Sequence, residues 1–219
     1  MKKLLHEFLK KLVFKYTKIL DPKYQYLVEP IQLAFLVNFL IEKKNLNGNI
    51  LEVGVDKGFT TRFLCEHINS EKLDVQYFVV DTFNSFTQED INYEVLNRGK
   101  SQYNTDFMNF RFNDYKTWSS KFKNFTFLKP YQSDCSVFDY NMIGPLKLVF
   151  LDVDLYLPTI RALHLIYEQM VPGGCIMVDN VSMNCDSYDG AHEAYHEFCK
   201  IKNLQVNLIG NNAGIIYKS

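Results

Sequence analysis

Four oxygen-bearing side chains stand at the ends of two apolar runs. "VFLDVDLY" (149–156) carries Asp152 and Asp154 directly after Val149, Phe150 and Leu151. "CIMVDNV" (175–181) carries Asp179 and Asn180. A carboxylate that leaves a hydrophobic core without a partner is costly, so either solvent or a positive group must meet it. Oxygen ligands from two strand ends, Asp152, Asp179 and Asn180, suit a hard divalent cation such as Mg2+, which accepts carboxylates and keeps several waters. Asp152 and Asp154 are also placed to take a proton as general base, with His192 as a further candidate that a helix surface suits better. The competing role for Asp154 is the N-cap of the following helix.

A second set lies upstream. "LEVGVDKGFTTRFL" (51–64) places Glu52, Gly54, Asp56 and Gly58 on a turn from strand to helix. Glycines there let a backbone approach a ligand closely. The spacing is neither the dinucleotide Gly-x-Gly-x-x-Gly nor a phosphate loop, because no Gly-Lys-Ser/Thr follows. Two carboxylates flanking the turn favour a cationic ligand over a pyrophosphate. Asp81 lies 27 residues beyond Gly54, where Rossmann-like units place an acid that takes ribose hydroxyls, or a cap. In "PYQSDCS" (130–136), Ser133 and Asp134 can bond a base edge or cap the next element.

The elements that must position these groups alternate. Apolar runs at 48–55, 74–83, 124–130, 145–154 and 175–181 are expected strands. Helices are expected after the first run, over "LPTIRALHLIYEQM", which tolerates Pro158 in its first turn, and over "YDGAHEAYHEFCKIKN". "PGG" (172–174) is expected to turn, and "LQVNLIGNNAGIIYKS" to close the chain as a hairpin. The stretch 87–122 is expected to be partly helical, with room for a lid. Such alternation predicts an α/β domain with a mainly parallel sheet, binding ligands at the carboxyl ends of its strands. Residues 1–45 are helical in pattern, broken by "DPKYQYLVEP". They form an expected N-terminal helical extension to a domain over 46–219.

Bulk properties bound the partners. The 219 residues are enough for one generous domain, and 24 Lys plus Arg against 25 Asp plus Glu gives no basic field for nucleic acid. The 18 Phe and 14 Tyr exceed what a core of this size needs and can line a pocket. Five scattered cysteines without a CxxC pair argue against a disulfide framework and a zinc cluster, and fit inert thiols in a reducing, cytoplasmic compartment. The basic amphipathic start, "MKKLLHEFLKKLVFKYTKIL", is too interrupted by charge for a cleavable signal. It suits a helix that packs on the domain, joins two copies in a homo-oligomer, or lies on an anionic membrane.

"LEVGVDKGFTT", "VVDTFNSF", "LDVDLYLPTIRAL", "PGGCIMVDN" and "DGAHEAYHEF" stand in the order found in class I S-adenosylmethionine-dependent methyltransferases. More narrowly, they resemble the macrocin O-methyltransferase family of sugar O-methyltransferases, over about residues 48–200. The resemblance implies a Rossmann-like fold: a seven-stranded, mostly parallel sheet with an antiparallel last strand and helices on both faces. It implies S-adenosylmethionine held by Glu52, Gly54, Asp56, Gly58 and Thr60, with Asp81 on the ribose and Ser133 and Asp134 near adenine. It also implies Mg2+ at Asp152 and Asp179. Where the family often has a second aspartate, this chain has Asn180, and "FLD…DNV" resembles the metal site of catechol O-methyltransferases. The expected activity is O-methylation of a sugar in a natural product or surface-glycan precursor, with a catechol-type acceptor as the alternative. An NAD-dependent oxidoreductase shares the fold but lacks its glycine fingerprint here. A non-enzymatic docking subunit leaves the three metal-site residues without a role.

Overall fold

The computed structural model describes residues 2–20, 23–182 and 189–219. Its centre is a sheet of seven strands in the order β3-β2-β1-β4-β5-β7-β6. The strands are β1 (Asn49–Val53), β2 (Tyr77–Asp81), β3 (Leu128–Gln132), β4 (Leu146–Leu151), β5 (Met170–Val178), β6 (Asn207–Ile209) and β7 (Ala213–Tyr217). β7 runs antiparallel to both its neighbours, and the other described pairings are parallel. The expected antiparallel last strand and closing hairpin are therefore present.

Continuous apolar runs suit strands covered on both faces, and all six residues of β4, "LKLVFL", are buried. Helices supply the cover: α1 (Lys2–Tyr16), α2 (Pro30–Glu42), α3 (Phe59–Glu71), α4 (Gln88–Arg98), α5 (Tyr115–Lys121), α6 (Tyr156–Gln169) and α7 (Gly190–Ile201). On one face, Ile160, Leu163 and Ile166 of α6 and Ala194, Tyr195 and Phe198 of α7 pack with Val149, Leu151 and Ile176. On the other, Leu33, Leu36 and Leu40 of α2, Leu64 and Ile68 of α3 and Trp118 of α5 pack with Ile50, Leu148 and Phe150. The helical N-terminal stretch thus divides. α2 enters the core, whereas α1 has no buried residue.

Two elements differ from expectation. β3 begins at Leu128 rather than 124, because the backbone still turns there: Phe125 N–H donates to Phe122 O at 2.9 Å and Leu128 N–H to Phe125 O at 3.0 Å. "PGG" does not end the chain's run but lies inside β5, where the pairing with β4 slips between Leu146↔Met170 and Leu148↔Cys175. A bulge absorbs the extra residues there.

Chain order gives the sheet a switch point. β2 and β3 extend one way from β1, and β4 pairs on its other side. The carboxyl ends of β1 and β4 therefore open a crevice between diverging connections.

Candidate active site

That crevice holds a cavity of about 290 Å3. Gly54, Asp56, Asp81, Ser133, Asp134, Asp152, Asp154, Asp179 and Asn180, nine of the residues singled out from sequence, line it together. Glu52, Gly58 and Thr60 are not among its lining residues.

The turn after β1 is built by close approach. Gly54 adopts φ +82°, and a Cβ there would sit 1.8 Å from the Asp152 carbonyl oxygen. Only glycine meets both conditions. Asp152 N–H donates to Val53 O at 2.8 Å, which aligns the ends of β1 and β4. Asp81 then orders the rim beside that turn. Its carboxylate accepts from the amides of Val55, at 2.8 Å, and Phe83. Asn113 reaches over from the segment between α4 and α5 and donates to the Asp56 carbonyl at 2.8 Å. Ser133 N–H donates to Asp81 O at 2.9 Å, and Asp134 accepts from Ser136 N–H at 2.7 Å, so Asp134 makes a local turn rather than capping a helix.

Glu52 points away from the cavity. It is buried, and one carboxyl oxygen accepts from Thr61 Oγ1 at 2.6 Å and from the Tyr77 hydroxyl. The other carboxyl oxygen is buried without a partner. Burial raises its pKa to about 7, against the lowering effect of those two hydroxyls. Gly58 is the left-handed N-cap of α3, where a side chain would strike Phe122 and Trp118. Thr60 lies within α3 beside it.

The second half of the site is a cluster of carboxylates on β4 and β5. Asp154, at φ +62°, is not the N-cap of α6; Leu155 is. The Asp154 carbonyl accepts from Ala191 N–H at 2.9 Å and its carboxylate from Asn180 Nδ2 at 2.6 Å. Asp179 accepts from Gln32 Nε2 and, at 3.3 Å, from Asn212 Nδ2. Asn212 Nδ2 also donates to Asn180 Oδ1 at 3.0 Å. Burial and the neighbouring Asp179 push Asp154 up to about 7, and burial pushes Asp179 up to about 6 while Gln32 draws it down. The Asp152 carboxyl is held well above the usual range by burial, then by Asp179 and Asp154.

Gln32 and Asn212 were not foreseen. Gln32 serves twice: its Oε1 accepts from Glu29 N–H in the capping box of α2, and its Nε2 binds Asp179. Its position after Pro30 signals a helix start and nothing more. Asn212 sits in the expected Gly-Asn-Asn turn, where asparagine is explained by backbone geometry alone. His192 lies outside the cavity lining, on α7, with Nδ1 bonded to the Val181 carbonyl at 2.6 Å. Cys65, Cys135, Cys175 and Cys199 are buried free thiols, and burial raises their pKa values; Cys185 lies outside the described residues.

Among the described residues, the cavity lining contains seven aspartates and no Lys, Arg or His. The arrangement can bind a positive ligand and can accept a proton, but offers nothing to a phosphate chain.

A sheet of this order, with the glycine turn, the acid after β2 and the carboxylates after β4 and β5 on one crevice, defines a class I methyltransferase. Solved structures share the fold. The O-methyltransferase NovP is 18% identical, with a TM-score of 0.67 over 86% of this chain and 78% of its own. The calicheamicin methyltransferase CalS11 is 15% identical, with a TM-score of 0.69 over 96% and 90%. SMU.1697c from Streptococcus mutans, solved with SAH, is 14% identical, with a TM-score of 0.52 over 89% and 100%. No curated protein matches the sequence. The model of the macrocin O-methyltransferase (TylF) family matches residues 33–218, and the chain belongs to that family. It is an O-methyltransferase.

Proposed function

We propose that the enzyme transfers a methyl group from S-adenosylmethionine to a hydroxyl of a sugar, in a natural product or a surface-glycan precursor. The observation that carries this reading is that the charged side chains lining the cavity are, among the described residues, all aspartates, which complements a sulfonium and an ammonium. Gly54 and Asp56 line the cavity where the methionine part would lie, Asp81 is placed for the ribose hydroxyls, and Ser133 and Asp134 for the adenine edge. Glu52, bonded to Thr61 and Tyr77, and Gly58, the N-cap of α3, support that turn from behind, with Thr60 in the first turn of α3.

Asp152, Asp179 and Asn180 would hold Mg2+. The fit rests on Asp152, whose carboxylate has no hydrogen-bond or ion-pair partner among the described residues and is disfavoured as an anion by its neighbours. Two carboxylates and an amide are the oxygen donors such an ion takes. Among the described residues no three His, Cys, Asp or Glu side chains form a metal group, so the amide of Asn180 has to complete the set. Bound there, the ion would lower the pKa of the acceptor hydroxyl.

The chain's own residues do the rest. Asp154, whose carboxyl pKa is raised above the usual range by burial and the neighbouring Asp179, can take the hydroxyl proton; Asp152 is the alternative base. The acceptor oxygen forms a bond to the methyl carbon as the carbon–sulfur bond breaks, and S-adenosylhomocysteine leaves. The site's task is to hold both substrates in line and exclude water.

A sugar acceptor is supported by family membership and by the description of CalS11 as a TDP-rhamnose 3'-O-methyltransferase. A catechol-type acceptor is the second reading, favoured by the Phe86 and Phe110 rings, which meet edge to face at 5.6 Å on the cavity wall. The test is methyl transfer to nucleotide sugars and catechols by wild type and Asp179→Ala. The variant is expected to lose turnover by a factor of about a hundred or more, as loss of an activating ion implies, with cofactor affinity nearly intact. Wild-type turnover in Asp179→Ala would refute the metal role.

A further inference from the structure

Helix α1 buries none of its residues, yet most of its apolar side chains share one side. At 3.6 residues per turn, Leu4, Leu5, Phe8, Leu9, Leu12 and Tyr16 fall on one side of the helix. Leu4 is 77% exposed, Phe8 57% and Tyr16 69%. Lys3, His6, Glu7 and Lys10 occupy the opposite side together with Phe14, Lys2 and Lys11 flank the boundary, and Lys15 stands among the apolar residues near the end of the helix. The helix has five lysines and one acid, Glu7, which pairs with Lys10 at 3.4 Å. The whole chain carries a net charge of −1, so positive charge is concentrated here. The apolar exposure continues past the helix in Ile19 and Leu20, and again in Tyr24 and Leu27. Leu27 also lines the active-site cavity.

We propose that α1 docks the enzyme on an anionic lipid surface. A helix of about 22 Å lying in the interface plane sinks its Leu and Phe side chains among the acyl chains. The flanking lysines snorkel to the headgroups, where anionic lipids complement them. Spanning is a different matter: among the described residues no helix is long and apolar enough to cross a membrane. The charge argues for lipid over a second α1, since two copies packed face to face would bring lysine-rich flanks together.

The experiment is flotation of the full chain with vesicles of phosphatidylcholine alone and of phosphatidylcholine with roughly a third phosphatidylserine. Binding to the anionic vesicles is expected to be at least about tenfold stronger, and to fall as salt shortens the Debye length from about 10 Å towards 3 Å. Phe8→Glu with Leu12→Glu should abolish flotation, as should Lys10→Glu with Lys11→Glu, each with an unchanged melting curve. Equal binding to both vesicles, or none, overturns the proposal. So does sedimentation showing a dimer that the Phe8→Glu/Leu12→Glu variant dissolves while vesicles stay unbound; the face would then belong to a second copy.

Discussion

Glu52 is a carboxyl whose surroundings are mismatched to its charge. Burial pushes its pKa up to about 7, from the ordinary 4.5 of a glutamate. A group raised in the folded state contributes stability that is whole below its unfolded pKa and is lost as pH rises through its folded value. Stability is therefore expected to fall between about pH 5 and about pH 8, by up to about 3 kcal/mol from this group. Glu52→Gln keeps an acceptor for Thr61 and Tyr77 without the charge, so it should flatten that part of the slope. Urea denaturation of both proteins at the two pH values measures the difference; parallel slopes would contradict the account. At this scale, sequence revealed the acids at strand ends but not their directions. Asp81 ends β2 and Glu52 is the last residue but one of β1, and only burial against Thr61 and Tyr77 turns Glu52 inward.

At the scale of elements, two contacts position the site. One is the approach of the β1 turn to β4. Gly54→Ala adds a Cβ 1.8 Å from Asp152 O at a φ of +82°, and is expected to cost about 3 kcal/mol or more, with loss of cofactor binding. Thermal unfolding and cofactor titration read both effects. The other is Arg98 at the end of α4. Its guanidinium binds Glu94 at 2.9 Å, Asp189 at 2.8 Å and Glu193. Glu94 in turn accepts from Tyr156 N–H at 2.8 Å. The network ties α4 to the starts of α6 and α7, directly behind Asp154. Arg98 and Glu94 are nearly inaccessible, so Arg98→Ala leaves a buried charge unpaired and should cost about 3 kcal/mol, seen as a lowered urea midpoint. An unchanged midpoint would mean solvent already screens the pair. Local pattern made most elements readable, because parallel strands are continuous apolar runs. It failed at 124–130 and at "PGG", where hydrogen bonds to a preceding turn and a bulge against β4 override what alternation and glycine suggest locally.

For the whole molecule, the sheet order follows from alternation, and the crevice follows from the order. What sequence could not show is the partner set across the crevice. Gln32 and Asp179 are 147 residues apart, and no local signal links them. The outcome of folding is a cavity lined, among the described residues, by seven aspartates and no basic residue, a field that selects positive ligands. The assignment of that cavity to the methyl donor is tested most directly by isothermal titration with S-adenosylhomocysteine, with and without Mg2+, and with NAD as control. The account predicts binding of S-adenosylhomocysteine in both conditions and none of NAD. Binding of NAD, or no binding of S-adenosylhomocysteine in either condition, would contradict it.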